Sequence, residues 1–376
     1  MLDKLEYAFF SLIRLGIGTV GPEDEGSKKL QTLSLAQWKK VMALAERQGV
    51  VAIAVDGLHK LYNTYGKEIK AASDSPSEWQ LWVLESVGLL TQNEQLSLGQ
   101  RKVVCEVSEL LAKEGIRMMV FKGQANASFY PVPEHRATGD IDCWLFGDAE
   151  KGDEILAAHG AEIDNRWYRH SKISYKGETI ENHRVLSHTR GSKRKKQMEE
   201  ELVALLDIAS LSKIDGCGEA LLPPPQFNAC FLTYHALHHF TSEGLRMKQI
   251  LDWAIFLKHE QDKVDWVAFN DFCKRYKLDK FAEIMNCVAA RYLGVCCHTN
   301  STDKTDDFEK IAERVIRSTL YDDGYLFNSG KDNWTVRWLL IKNMFGRDRW
   351  KYEDIAQESI WSHLYHSAMG FLMDKG

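Results

Sequence analysis

The 376-residue chain has no apolar run that approaches the 18 or so residues a membrane-spanning helix requires. It also lacks a CxxC pair. Its eight cysteines fall at irregular intervals, and a chain of this length needs no disulfide staples. The one cluster, Cys296-Cys297-His298, has no further ligand residues close by in sequence, so a metal site is not expected there. Positive charge is not in excess: the formal net charge is −5, which argues against broad attachment to nucleic acid, and DNA is not an expected partner. The opening residues Met1-Leu-Asp-Lys-Leu-Glu6 carry charge where a secretory leader needs an apolar stretch. No internal repeat is visible. These absences lead to an expectation of a soluble, cytoplasmic, globular protein with no membrane contact.

In bulk, the composition is ordinary, with 44% hydrophobic and 27% charged residues. The eleven tryptophans are scattered and read as packing residues. Residues 1–115 show helical periodicity throughout: Ser34 is placed to cap a helix over 36–46, and a longer helix runs from Ser77 to Glu114 with Gly115 as its stop. The pattern then changes. Residues 116–121 form a short apolar run that predicts a buried strand, and residues 124–130 predict a short helix ended by Pro131 and Pro133. A second strand is predicted at 139–146, a helix from Glu150 to His159, and a β-hairpin over 167–188 turning at Lys176-Gly177. After about residue 192 the chain is helical again, with a stiff connector at Leu222-Pro-Pro-Pro225 and a polar loop over 299–307. The expected fold is α+β: an N-terminal helical region (1–115), a small mixed-sheet core (116–190) and a C-terminal helical domain (191–376).

Within that core, Gly139-Asp140-Ile141-Asp142 is the most informative stretch. Side chains alternate along a strand, so Asp140 and Asp142 point one way and Ile141 the other. Two carboxylates aimed at one spot repel unless a cation sits between them, and such hard oxygen ligands suit Mg²⁺ with substrate phosphates. Nucleotidyl transfer on two metals about 4 Å apart calls for a third carboxylate. Glu181, in Glu178-Thr-Ile-Glu181-Asn-His183, is the best candidate: Ile180 faces the core, and Glu181 and His183 share the other face. Glu178 follows Gly177 and belongs with the turn.

Phe121-Lys122-Gly123, Tyr130-Pro-x-Pro133, Arg136-x-x-Gly139-Asp140-Ile-Asp142 and Ile180-Glu181-x-His183 stand in an order that resembles the uncharacterised nucleotidyltransferase family of the DNA polymerase β-like superfamily. The flanking Ala45-Glu-Arg-Gln-Gly-Val50 and His235-x-x-His238-His239 … Leu245-Arg-x-x-Gln-Ile-Leu-Asp252-Trp are similar to that family as well. The resemblance implies a turn glycine at the triphosphate (Gly123), a metal-binding pair (Asp140, Asp142) and a third metal-binding acid (Glu181). It implies Mg²⁺ or Mn²⁺ as cofactor and a nucleoside triphosphate as substrate. Where the superfamily usually has Gly-Ser or Gly-Gly, this chain has Gly123-Gln124, preceded by Lys122, whose charge suits a phosphate.

Other residues keep two readings. Arg136 either grips a phosphate or braces the carboxylates. His183 either faces the nucleotide or satisfies a backbone group. His235, His238 and His239 share a helix face and either pack or meet substrate. Asp252 is a general base or a structural hydrogen-bonder, with Arg246 too far along the helix to pair with it. Lys193-Arg-Lys-Lys196, followed by Glu199, Glu200, Glu201 and Asp207, reads as a solvated helix face rather than a phosphate grip. The expected activity is transfer of a nucleoside monophosphate from a triphosphate to an acceptor hydroxyl, with release of pyrophosphate. The acceptor (small molecule, protein or RNA) is not legible. A non-catalytic nucleotide-binding or interaction protein, a helical scaffold and a phosphohydrolase are the rival readings.

Overall fold

A computed structural model of the protein describes residues 2–71, 75–187, 189, 192–206, 211–297, 306–321 and 333–365. Four main helices lead in: α1 (Lys4–Ile17), α3 (Leu35–Arg47), α4 (Val51–Ala71) and α5 (Pro76–Lys113), with a short α2 (Glu25–Lys29). Their starts follow from capping chemistry. Asp3 and Glu6 form a capping box on α1; Ser34 caps α3 as its sequence predicts, and Gln37 completes a second box there. Gly115 ends α5 at φ +75°, where a side chain would strain the backbone.

A five-stranded mixed sheet follows, in the order β1-β2-β5-β4-β3. Its strands are β1 (Met119–Val120), β2 (Ile141–Trp144), β3 (Glu162–Asp164), β4 (His170–Tyr175) and β5 (Glu178–His183). Two short helices, α6 (Gly123–Ala127) and α7 (Ala149–Ala158), lie between them. The apolar run 116–121 yields only a two-residue strand because its first residue still serves the helix: the Ile116 amide closes onto Leu111 O at 2.9 Å. The second strand is likewise shorter than predicted, since Phe146 and Gly147 both turn at positive φ. The hairpin turns at Lys176-Gly177 as expected, with Glu178 the first strand residue after the turn. β3 was not anticipated; three residues of sequence Glu-Ile-Asp carry too little alternation to reveal a strand.

The remaining helices are α8 (Lys193–Ala204), α9 (Pro225–Ser242), α10 (Met247–Glu260), α11 (Trp266–Tyr276), α12 (Asp279–Val288), α13 (Asp306–Tyr321) and α14 (Asn333–Phe345). Residues 299–305 of the expected polar loop lie outside the described residues. The helices before and after the sheet share one apolar core, which runs from Phe9 and Trp38 to Phe240, Trp253 and Ile316. Polar ties join them: Gln48 donates to Thr319 O and accepts from the Met247 amide. No helix among the described residues is long and apolar enough to cross a membrane.

Helix α5 links this core to the sheet. Its first half packs Trp79 and Trp82 against Trp38, and its second half packs Val103, Val104, Val107 and Leu111 under the strands. At 38 residues it extends about 57 Å. Its middle holds the loop ahead of β2: Asn93 donates to Glu134 O at 2.7 Å, Arg101 pairs with Glu134 at 3.2 Å, and Gln100 donates to Gly139 O. In the same loop, His135 bridges Asp56 of α4 at 2.7 Å and Glu94 of α5 at 3.0 Å. Burial opposes charge on this ring, but hydrogen bonds to the two carboxylates outweigh it and raise its pKa.

A group whose pKa is higher folded than unfolded adds stability that is fully present below its unfolded value, about 6.5 for histidine, and lost as pH rises through the folded value. Wild-type protein is therefore expected to lose stability on going from pH 6 to pH 8 in urea titrations. His135→Gln removes the histidine contribution to that loss, which comparison of the two pH profiles would reveal.

Candidate active site

Strands β2 and β5 run parallel with Asp142 opposite Glu181 and Ile141 opposite Ile180. The isoleucines are fully buried in the sheet's own core, so the alternation turns both acids to the other side. Asp140 stands one residue ahead of β2, and all three carboxylates line a cleft of about 1230 Å³, its open mouth included. Helices α9 and α10 form the opposite wall. The third acid predicted from sequence thus lies beside the pair.

Each acid has its own electrostatic setting. Burial opposes charge on Asp142, yet its carboxyl is held well below the usual range by Lys122 Nζ at 2.6 Å and His183 Nε2 at 3.0 Å. Glu181 is lowered too: burial works against it, but His183 at 3.5 Å and His170 at 3.5 Å prevail. Asp140 moves the other way, raised by burial and then by the charges of Glu181 and Asp142, and it has no ion-pair partner among the described residues. A crowded trio with one uncompensated member fits a site for a divalent cation.

Lys122, assigned from sequence to the phosphates, gives its ammonium to Asp142. It reaches there from a backbone at φ 62°, ψ −142°, a region that side chains rarely adopt. Gly123 follows at φ +31° and lines the cleft. Of the two readings of His183, the structure fits the backbone one: its Nδ1 lies 3.2 Å from Val185 O, and the ring is buried beneath Asp142, under the edge of the Phe121 ring at 5.0 Å, rather than facing the nucleotide space. Both of its nitrogens face acceptors, Asp142 Oδ1 and Val185 O, so it serves the acid as a donor.

His170 was missed. It pairs with His183 across the hairpin, lines the cleft, and brings donor atoms with Glu181 and His183 within 4.8 Å of one another. Burial, its largest influence, lowers its pKa and keeps the imidazole neutral, as a metal ligand requires. The signal was present: a two-residue turn at 176–177 sets residue 172 opposite 181 and 170 opposite 183.

On the helical wall, His235, His239 and Glu243 follow one another at four-residue spacing and line the cleft. His235 Nε2 and His239 Nε2 are 3.1 Å apart, and Glu243 Oε2 is 3.6 Å from His239 Nδ1. Burial, then the Lys122 charge, drives the His235 pKa well down, so this ring is neutral. A proton on His239 Nδ1 facing Glu243 would let His239 Nε2 accept from His235 Nε2 and leave a lone pair on His235 Nδ1. His238 also touches the cleft. Lys248, a second residue missed from sequence, lines it from the first turn of α10. Among the described residues its ammonium has no ion-pair or hydrogen-bond partner, and burial, then Arg136, lowers it to about 8. Its Nζ lies close to Gly139, 3.6 Å from where a Cβ would stand.

Arg136 lines the cleft, but its carboxylate partner is not one of the three acids. Its Nε and Nη2 donate to the two oxygens of Asp252, each at 2.8 Å, so it braces neither Asp140 nor Asp142. Tyr130 donates to the same Asp252 at 2.8 Å. All three are buried, and Asp252 is the structural hydrogen-bonder of the two readings. The cluster ties the loop ahead of β2 to α10 and so sets the width of the cleft. Asp252→Ala would strand a buried guanidinium and is expected to cost about 3–5 kcal/mol in chemical denaturation. Tyr130→Phe, which leaves the ion pair intact, should cost only about 1 kcal/mol.

No curated protein and no solved structure matches the chain. A family model described as an uncharacterised nucleotidyltransferase matches residues 34–294, from just before α3 to the end of the turn after α12. The match covers more than half of the chain and contains the acids, the histidines, Lys122 and Lys248; by it, the chain belongs to that uncharacterised nucleotidyltransferase family.

Proposed function

We propose that the protein moves a nucleoside monophosphate from a nucleoside triphosphate to an acceptor hydroxyl and releases pyrophosphate. The observation that carries this reading is the in-register pairing of Asp142 with Glu181, with Asp140 at the same mouth. Asp140, Asp142 and Glu181 would hold Mg²⁺ or Mn²⁺, and the neutral His170 favours Mn²⁺, since imidazole donors suit it better than Mg²⁺. Such ions, when bound, lower the pKa of the acceptor hydroxyl and offset charge on the leaving pyrophosphate.

The chain's own groups supply the rest. Lys122, which holds Asp142 at 2.6 Å, would supply positive charge to the phosphates from the same side of the cleft. Lys248 meets them from the opposite wall, unpartnered among the described residues and at the start of a 14-residue helix whose dipole also favours anions. Gly123 keeps the floor of the turn free of side chain. His235 Nδ1 accepts the hydrogen bond of the incoming hydroxyl, and His239 and Glu243 hold its tautomer. A non-catalytic nucleotide binder is the second reading, favoured by the Lys122–Asp142 pair, which neutralises the acid without a metal.

Incubating the protein with α-labelled triphosphates, Mn²⁺ or Mg²⁺ and a cell extract separates the two readings. A labelled product formed with pyrophosphate release, and reduced on the order of a hundredfold or more in Asp142→Asn and Glu181→Gln, supports transfer. Binding without release supports the second reading, and release of inorganic phosphate points to hydrolysis. Because Lys248 ionises near 8, triphosphate affinity should fall as pH rises from 7 to 9. Lys248→Arg, which stays charged, should flatten that part of a binding titration.

A further inference from the structure

Helix α9 has a second working face. Residues His235, His239 and Glu243 look into the cleft, whereas Tyr234, Leu237 and Thr241 line a separate pocket behind the helix, with His238 common to both. This pocket is a small open hollow of about 580 Å³, a figure that takes in its solvent-filled mouth. Its floor is apolar, from Met198 of α8, Leu237 of α9 and Leu278 ahead of α12.

Its charge is lopsided. Arg194, Lys195 and Lys277 face a single carboxylate, Glu358. That carboxylate is already engaged, by Ser362 Oγ at 3.3 Å and His363 Nδ1 at 3.5 Å. Lys277 is spent on Gln357 O at 3.0 Å. Among the described residues, neither Arg194 nor Lys195 has a side-chain hydrogen bond or an ion pair. Lys195 is the more telling, because burial, its main influence, lowers its pKa below that of an exposed lysine. A half-buried ammonium left unpaired beside a hollow is costly unless an anion completes it. The basic run that reads from sequence as a solvated helix face therefore turns two of its four cations into a cavity.

We propose that this pocket binds an amphipathic organic anion, its apolar or aromatic body on Met198, Leu237 and Leu278 and its carboxylate or phosphate on Lys195 and Arg194. The site stands apart from the three acids and does not depend on the chemistry assigned to the cleft.

Phenyl phosphate, phenylacetate, benzyl alcohol and inorganic phosphate are suitable probes, titrated into the full-length protein by calorimetry or ligand-observed NMR. At least one aryl anion should bind at one site, about tenfold or more tighter than both benzyl alcohol and inorganic phosphate. The ranking of phenyl phosphate against phenylacetate says which head group the cations prefer. Lys195→Glu should abolish that binding and Lys195→Arg should keep it. Ala356→Trp, which fills the hollow without touching a charge, should block it. Lys248→Ala, which removes a cation from the cleft instead, should leave it unchanged. Equal binding of benzyl alcohol, equal binding of inorganic phosphate, full binding by Lys195→Glu, loss in Lys248→Ala, or no binding of either aryl anion would each overturn the proposal.

Discussion

Two like charges held side by side on hydrogen-bonded strands are the constraint around which this molecule is organised. Parallel pairing of β2 with β5 puts Asp142 next to Glu181, and the backbone ladder gives neither carboxylate freedom to retreat. Directly opposed like charges destabilise a sheet. The surroundings offset that repulsion: Lys122 and His183 converge on Asp142, while His170 and His183 flank Glu181. Asp140 has no ion-pair partner among the described residues, and burial, then the charges of Glu181 and Asp142, raises its pKa. A sheet without a use for negative potential at that spot would have settled on neutral residues.

The rest of the architecture keeps that spot in a fixed frame. Helix α5 is anchored by tryptophans at one end and lies under the strands at the other, so the helical body and the sheet are joined along its length. Its polar middle holds the 134–139 loop, and the buried Arg136–Asp252 pair clamps the same loop to α10. One short segment is thereby secured from two sides, immediately ahead of Asp140. The acids and the helical wall are set relative to each other by these contacts rather than by the sheet alone.

Much of this was legible in the sequence where the signal is local. The capping box at Ser34, the glycine stop at 115, the turn at Lys176-Gly177 and the alternation around Ile141 and Ile180 all depend on residues a few places apart. Glu181 could be picked out because the hairpin fixes its face. What escaped depends on distance along the chain. Asp252 lies 116 residues from Arg136, and no periodicity links them. Lys248 looks like any surface lysine at a helix start until the loop bearing Gly139 is folded over it. The choice between the two readings of His183 turned on depth, which its strand face does not reveal, as the Phe121 ring that covers it comes from another strand edge. His170 was recoverable from the turn register, which was available and not carried to its end.

Lys122 shows how one position can be pulled in two directions. Its backbone sits where glycine is at ease and a lysine costs roughly 1–3 kcal/mol, yet from that contorted geometry its ammonium reaches Asp142. A lineage selected only for sturdiness would drift to glycine there and relax the turn. Glycine there would ease the backbone but leave Asp142 without its ammonium, so this turn gives up conformational comfort for a charge beside the acid.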